Sequence, residues 1–349
     1  MSSDDEQEAG GEEWGALADE LDLGDDDDSS TDGGDDDNGA GCPASQPQPQ
    51  QAPVAGVVRR SALSHAEFEG EFRHRQPVLL EQLAKDWTAL SRWSSVDHLA
   101  TLLPSPDVLV LRSPDGRRFL KRDCEQQHRP FADVARELFG QHQPAAPVAA
   151  GGGGARMYAR SPLAAGLRAE VDLAGLEQLV GGDVFKDENS GVWLGTAGNV
   201  TPLHYDLCHG FLIQIIGTKT ITYFEPDDYR CLYQRKENPE LSQVDLDAWR
   251  RADAAEADAG TAPGPAATSS MSTARCGGGD GGGEEDVRSK WPLFGDATPR
   301  FVTLEPGDCL YTPPFWWHHV ATSGTSAALS VLVPFDMQPD EKVHHAHFM

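Results

Sequence analysis

Beyond residue 54 the chain alternates short apolar runs with turn residues, whereas before it there is almost no apolar pattern. After Arg156 the runs Val192-Trp193-Leu194, Phe211 to Ile216, Lys219 to Phe224, Phe301 to Leu304, Cys309 to Thr312, Trp317 to Ala321 and Leu329 to Val333 are rich in β-branched and aromatic residues. Turn signals such as Gly217-Thr218 and Glu305-Pro306-Gly307-Asp308 separate them, so they predict strands. Several are apolar on both faces, as in a sandwich or jelly roll whose surfaces are covered. Upstream, Ser64 with Glu67 predicts a capping box opening a helix through Phe72, and Pro77 to Leu80 a buried strand. Ser95 with His98, Leu99 and Leu102 predicts a second helix, Val108 to Leu111 a strand, and Phe131 to Phe139 a third helix.

Composition divides the 349 residues further. Residues 1–54 hold Asp runs, Gly, Ser and Gln/Pro repeats, too little apolar surface to offset the entropy of ordering, and are expected to be a disordered acidic tail. Trp14, Leu17 and Leu21 at helical spacing could fold on a basic, apolar partner, against the plainer reading of a solubilising tail. Residues 55–155 form an α/β region packing on a core at 156–335, with a flexible Ala/Gly/Asp-rich insertion at 250–289 and a short tail at 336–349. Pro144 to Gly154 reads as a surface loop, and His344, His345 and His347 as a solvated tail with adventitious metal affinity.

The formal charge is −28, of which 17 acids and no Lys or Arg lie in residues 1–41, leaving −11 for the rest. That disfavours sequence-independent binding to phosphate backbones, so nucleic acid is a secondary partner class. The six cysteines make no CxxC pair, which fits reduced thiols in an intracellular compartment, cytoplasm or nucleus. No long apolar run or secretory signal is present, so no membrane partner is expected.

The chemistry concentrates in Thr201-Pro202-Leu203-His204-Tyr205-Asp206 and Phe315-Trp316-Trp317-His318-His319. His204 and Asp206 stand two apart, so on a strand both side chains leave by one face. Two imidazoles and one carboxylate on one face of an octahedral metal leave positions for a chelating oxo-acid and for dioxygen, the ligand set of non-haem iron(II) oxygenases. His318 and His319 face opposite ways on a regular strand, so only one of them joins the set. An HxD triplet by itself is weak, since such triplets arise about once by chance in a chain this size. Lys219 adds a second signal: it opens a strand among Ile215, Ile216, Ile221 and Tyr223, and a lysine is rarely buried without a partner. The far carboxylate of a dicarboxylic oxo-acid would supply one, with hydroxyls such as Thr201 and Tyr158 adding hydrogen bonds. The plainer alternative is a lysine at a strand end with its amine in water.

Gly198 to Asp206, Gln214 to Lys219 and Glu305 to Val320 resemble the JmjC (cupin-like) 2-oxoglutarate oxygenases, and within them the asparaginyl-hydroxylase branch. The likeness is close over 156–335 and looser over 54–139, where Pro77-Val78-Leu79 and Lys85-Asp86-Trp87 look like the entry of such domains. It implies a mainly β fold, a double-stranded β-helix (jelly-roll, cupin) core with N-terminal helices. It makes His204, Asp206 and His318 the iron(II) ligands and Lys219 the anchor of 2-oxoglutarate, with Thr201 and Tyr158 beside it and dioxygen as the other cosubstrate. The implied activity is a 2-oxoglutarate-dependent dioxygenase hydroxylating a protein or peptide side chain. Lysine demethylation, tRNA-base hydroxylation and a non-catalytic cupin scaffold recruiting partners through the acidic tail are the alternatives. The chain departs from that branch at Gly210 and at Leu332-Val333-Pro334, where polar cosubstrate contacts are replaced, and at Leu241, which stands where a substrate-contacting glutamine precedes Ser242-Gln243-Val244-Asp245. With only residues 336–349 after Phe335, dimerisation through a C-terminal helical region is not expected.

Overall fold

The apolar runs become strands of two facing sheets. The structure, a computed structural model, describes residues 56–103, 107–140, 156–186, 189–252, 287–338 and 341. The acidic tail, the 144–154 break, most of the 250–289 insertion and most of the C-terminal tail lie outside these residues.

The strands are β1 Val58–Arg60, β2 Val78–Leu80, β3 Asp107–Arg112, β4 Glu125–Pro130, β5 Tyr158–Pro162, β6 Gly191–Gly195, β7 Val200–His204, β8 His209–Ile216, β9 Thr218–Phe224, β10 Arg300–Leu304, β11 Cys309–Thr312, β12 Trp317–Ser323 and β13 Ala328–Phe335. The larger sheet has the order β1-β2-β11-β8-β13-β6-β5-β3-β4 and the smaller one β10-β9-β12-β7. Together they make the jelly-roll core. Strands from before and after residue 155 share the larger sheet, because β3 pairs with β5 through Leu109 opposite Arg160 and Leu111 opposite Tyr158.

Helices cover the outer face of the larger sheet. The capping box at Ser64 and Glu67 is present, but only His65–Glu67 is α-helical and Phe68–Phe72 continues as a π-helix. Ser95 caps α1 (Val96–Leu102), and α2 (Phe131–Phe139) buries Phe131, Val134, Ala135 and Leu138 along one stripe. They pack with Val108, Val110, Phe211, Ile213, Val331 and Val333 in one cluster. Residues 230–250 and 287–297 cover the smaller sheet with Leu232, Trp249, Trp291 and Phe294 against Leu203, Phe224 and Trp317.

Candidate active site

β7 and β12 are antiparallel neighbours, and their register sets His204 opposite His318. The two rings lie 4.2 Å apart between centroids. Asp206 stands two residues past β7 and brings Oδ2 to 3.7 Å from His318 Nε2. One donor atom from each of the three lies within 4.8 Å of the others. His204 Nδ1 lies 2.7 Å from the Pro202 carbonyl and His318 Nδ1 2.9 Å from that of Trp316. A carbonyl only accepts, so in the neutral ring Nδ1 carries the hydrogen and Nε2 presents its lone pair to the site. Burial first, then the neighbouring His204, holds the His318 pKa below its usual value against the pull of Asp206, which keeps the ring in the neutral form a metal requires.

A β-bulge decides what else faces the site. After His318 opposite His204, the next pair is Val320 opposite Thr201, so β7 carries one extra residue. Thr201 and His204, three apart, therefore line the same cavity, while Pro202 and Leu203 turn to the outer face. Proline suits this edge strand because it has no N–H to pair. His319 lies on that outer face, its Nε2 3.7 Å from Asp247 Oδ2, and is not among the converging donors.

Asp206 is held through its backbone. The Phe315 N–H donates to the Asp206 carbonyl at 2.9 Å, and Phe315 adopts φ 65° to do so. Its ring is fully buried, 5.7 Å from Tyr205 between centroids.

The cavity between the sheets has a volume of about 200 Å³ and contains Lys219, Thr201 and Tyr158 with the three converging residues. Lys219 is 2% exposed, and among the described residues no carboxylate pairs with it. Burial alone lowers its pKa to about 8. Its Nζ is 6.0 Å from the centre of the Tyr158 ring, and the Thr201 hydroxyl hydrogen-bonds Tyr158. Gly217 places it there: with φ 70° and the Ala327 carbonyl 2.5 Å from where a Cβ would stand, the β8–β9 turn admits no side chain. The lysine follows two residues later as the second residue of β9.

Sequence reasoning missed several lining residues. Tyr223 and Thr312 face the cavity with their hydroxyls 2.5 Å apart, and Arg160 lies 5.0 Å over the Trp193 ring, which stacks on Tyr158. Period-two spacing from Lys219 to Tyr223 along β9 was the available signal for the tyrosine. Gly210, Leu332 and Pro334 form an apolar stretch of wall, with Leu332 3.6 Å from where a Gly210 Cβ would stand. Leu241 is buried and bridges the His204 backbone.

Two imidazoles and a carboxylate beside a buried ammonium with no counter-ion among the described residues fit a divalent metal and an anionic chelator. A family model described as a cupin-like domain matches residues 65–341. The chain belongs to this cupin-like, JmjC-type family of oxygenases. The JmjC-type chain is 26% identical over 299 residues to Jumonji C domain-containing protein 5 of Drosophila melanogaster, covering 84% of this chain and 63% of that protein. It is 25% identical over 281 residues to lysine-specific demethylase JMJ30 of Arabidopsis thaliana, covering 78% and 54% respectively. It is 24% identical over 312 residues to tRNA wybutosine-synthesizing protein 5 of Mus musculus, covering 81% and 78%. The JmjC-type chain thus spans less than two thirds of the first two of these relatives. No described helix is long and apolar enough to cross a membrane.

Proposed function

We propose that this chain is an iron(II)- and 2-oxoglutarate-dependent oxygenase that hydroxylates a protein side chain. The observation that carries the reading is the sharing of one cavity by the His204, Asp206 and His318 donors and the ammonium of Lys219, which has no carboxylate partner among the described residues.

His204 and His318 would hold the metal through Nε2 and Asp206 through its carboxylate, all from one side. When bound, iron(II) with 2-oxoglutarate and dioxygen supplies the power to insert one oxygen atom into a C–H bond, the other ending in succinate as carbon dioxide leaves. Lys219 would pair with the far carboxylate, and the Tyr158 and Thr201 hydroxyls add donors beside it. Leu212, Ile221, Leu310 and Val320 line the walls and exclude water, which strengthens the ionic contact. Arg160 and Trp193 line the same cavity, where a substrate chain would meet them.

A protein substrate is favoured over nucleic acid by the charge of −11 outside residues 1–41. Relatives named as lysine-specific demethylases support a second reading in which the hydroxylated carbon is an N-methyl group. Purified protein given iron and ascorbate should convert 2-oxoglutarate to succinate without added substrate. Exposure to a proteome digest should then add one oxygen atom to particular peptides; loss of methyl groups with formaldehyde release would select demethylation, and modified tRNA with untouched peptides would reject the protein reading.

A further inference from the structure

A second convergence of donors lies on the opposite face of β8 from the cavity. His209 is adjacent to Gly210, which lines the cavity, but points outward into the core and is fully buried. His74, from the turn after Phe68–Phe72, and Glu341, beyond β13, meet it there, one donor atom of each within 4.8 Å of the others. We propose that His74, His209 and Glu341 form a zinc site, distinct from the iron site and independent of the reading given above.

Three features of the geometry carry this. His209 Nε2 and Glu341 Oε2 are 3.1 Å apart, close to the ~3.3 Å that separates two ligand atoms on tetrahedral zinc with bonds of about 2.0–2.2 Å. Each ligand also has an orienting partner. His209 Nδ1 sits 2.7 Å from the Tyr311 hydroxyl, and Arg73 Nε donates to Glu341 Oε1 at 2.8 Å. A ligating histidine typically engages its second nitrogen in this way, and the arrangement leaves Nε2 and Oε2 facing each other. Finally, His74 has φ 61°, a conformation a non-glycine residue keeps only where its surroundings impose it. Its N–H on the Tyr311 hydroxyl at 3.0 Å and its Nε2 on the Glu341 carbonyl at 3.0 Å fix the ring against the same residues.

The Gln338 N–H also donates to Glu341 Oε2 at 2.6 Å, so the carboxylate is fixed from a further side. A carboxylate oxygen only accepts, so a neutral His209 ring bridging to Glu341 carries its proton on Nε2; with zinc held at Nε2 the proton would sit on Nδ1 and donate to the Tyr311 hydroxyl. Zinc is favoured over magnesium or calcium because two of the three donors are imidazole nitrogens. It would tie the C-terminal segment carrying Glu341 to β8 and to the turn at Arg73 and His74.

The test uses the full chain with His204→Ala, Asp206→Ala, His344→Ala, His345→Ala and His347→Ala, removing the first donor set and the terminal histidines. After dialysis with zinc, this protein should retain about one zinc per chain and, with cobalt(II), give the intense visible bands of tetrahedral coordination. Glu341→Gln and His74→Gln should each weaken zinc binding by at least about 100-fold, more than the loss of an orienting partner alone. Glu341 and His74 are varied because replacing the fully buried His209 would disturb the core itself. Absence of retained zinc, or equal retention in both variants, overturns the site and leaves a metal-free proton bridge. If the background chain fails to fold, the parent chain is titrated instead, and a second metal equivalent lost in Glu341→Gln is the result that supports the site.

Discussion

Lys219 is an ammonium inside a barrel with no described counter-ion, and its lowered pKa measures the consequence. The fall from 10.5 to about 8 corresponds to roughly 3 kcal/mol of destabilisation at neutral pH in the ligand-free protein. Between pH 8 and 10.5 the unfolded lysine still binds a proton that the folded one has released, so stability should rise across that window and be lowest below it. Lys219→Met should therefore raise the midpoint of thermal unfolding at pH 7 while weakening 2-oxoglutarate binding by ten- to a hundredfold or more, roughly the loss of a charged hydrogen bond. Calorimetry with manganese(II) in place of iron reads both quantities. A lower midpoint in Lys219→Met, or unchanged 2-oxoglutarate affinity, would remove the role assigned to this residue. In the parent chain, affinity for 2-oxoglutarate should be flat below about pH 8 and decline above it as the ammonium is lost. Metal titration separates the histidines: His204→Ala, Asp206→Ala and His318→Ala should each lose tight iron binding and turnover, whereas His319→Ala, on the outer face, should keep its metal.

Turns and bulges do the positioning that single residues cannot. Gly217→Ala should destabilise the fold by about 1–3 kcal/mol, through its positive φ and the Ala327 carbonyl, and weaken 2-oxoglutarate binding more than iron binding because Lys219 follows two residues on. Equal loss of both affinities in folded protein would point to general disorder of the site. The same scale explains what the sequence could and could not disclose. β8, β9, β11, β12 and β13 were legible as apolar runs, and Ser64 and Ser95 as caps, because local chemistry specifies them. β4, with Glu125-Gln126-Gln127-His128, is polar and β5 includes Arg160 and ends at Pro162, so neither has the alternation that announces a strand; their pairing partners create them. The pairing of His204 with Asp206 followed from a spacing of two, but the choice of His318 over His319 came from family likeness. The joint orientation of Thr201 and His204 depends on a bulge that no local pattern announces: in a regular strand Pro202 would face the cavity and the threonine hydroxyl would be turned away.

Over the whole molecule, the donors, Lys219 and the described lining of the cavity come from residues 111–334, outside both the acidic tail and 253–286. Deleting residues 1–54 and replacing 253–286 by a short Gly/Ser linker should leave substrate-free 2-oxoglutarate turnover within a few-fold of the parent. Collapse of turnover in a deletion protein that still melts cooperatively would place a needed element in one of those segments. The three donors differ in their relation to solvent: the imidazoles of His204 and His318 are almost enclosed, while the Asp206 side chain is 48% exposed. A metal ion would therefore arrive and depart past a single carboxylate arm. Its residence time would depend on how often that arm swings out, and a small chelator competing for the vacated position would strip it without unfolding the barrel. Filling of the site would then follow the surrounding supply of exchangeable iron, making the fraction of active molecules a running record of metal availability.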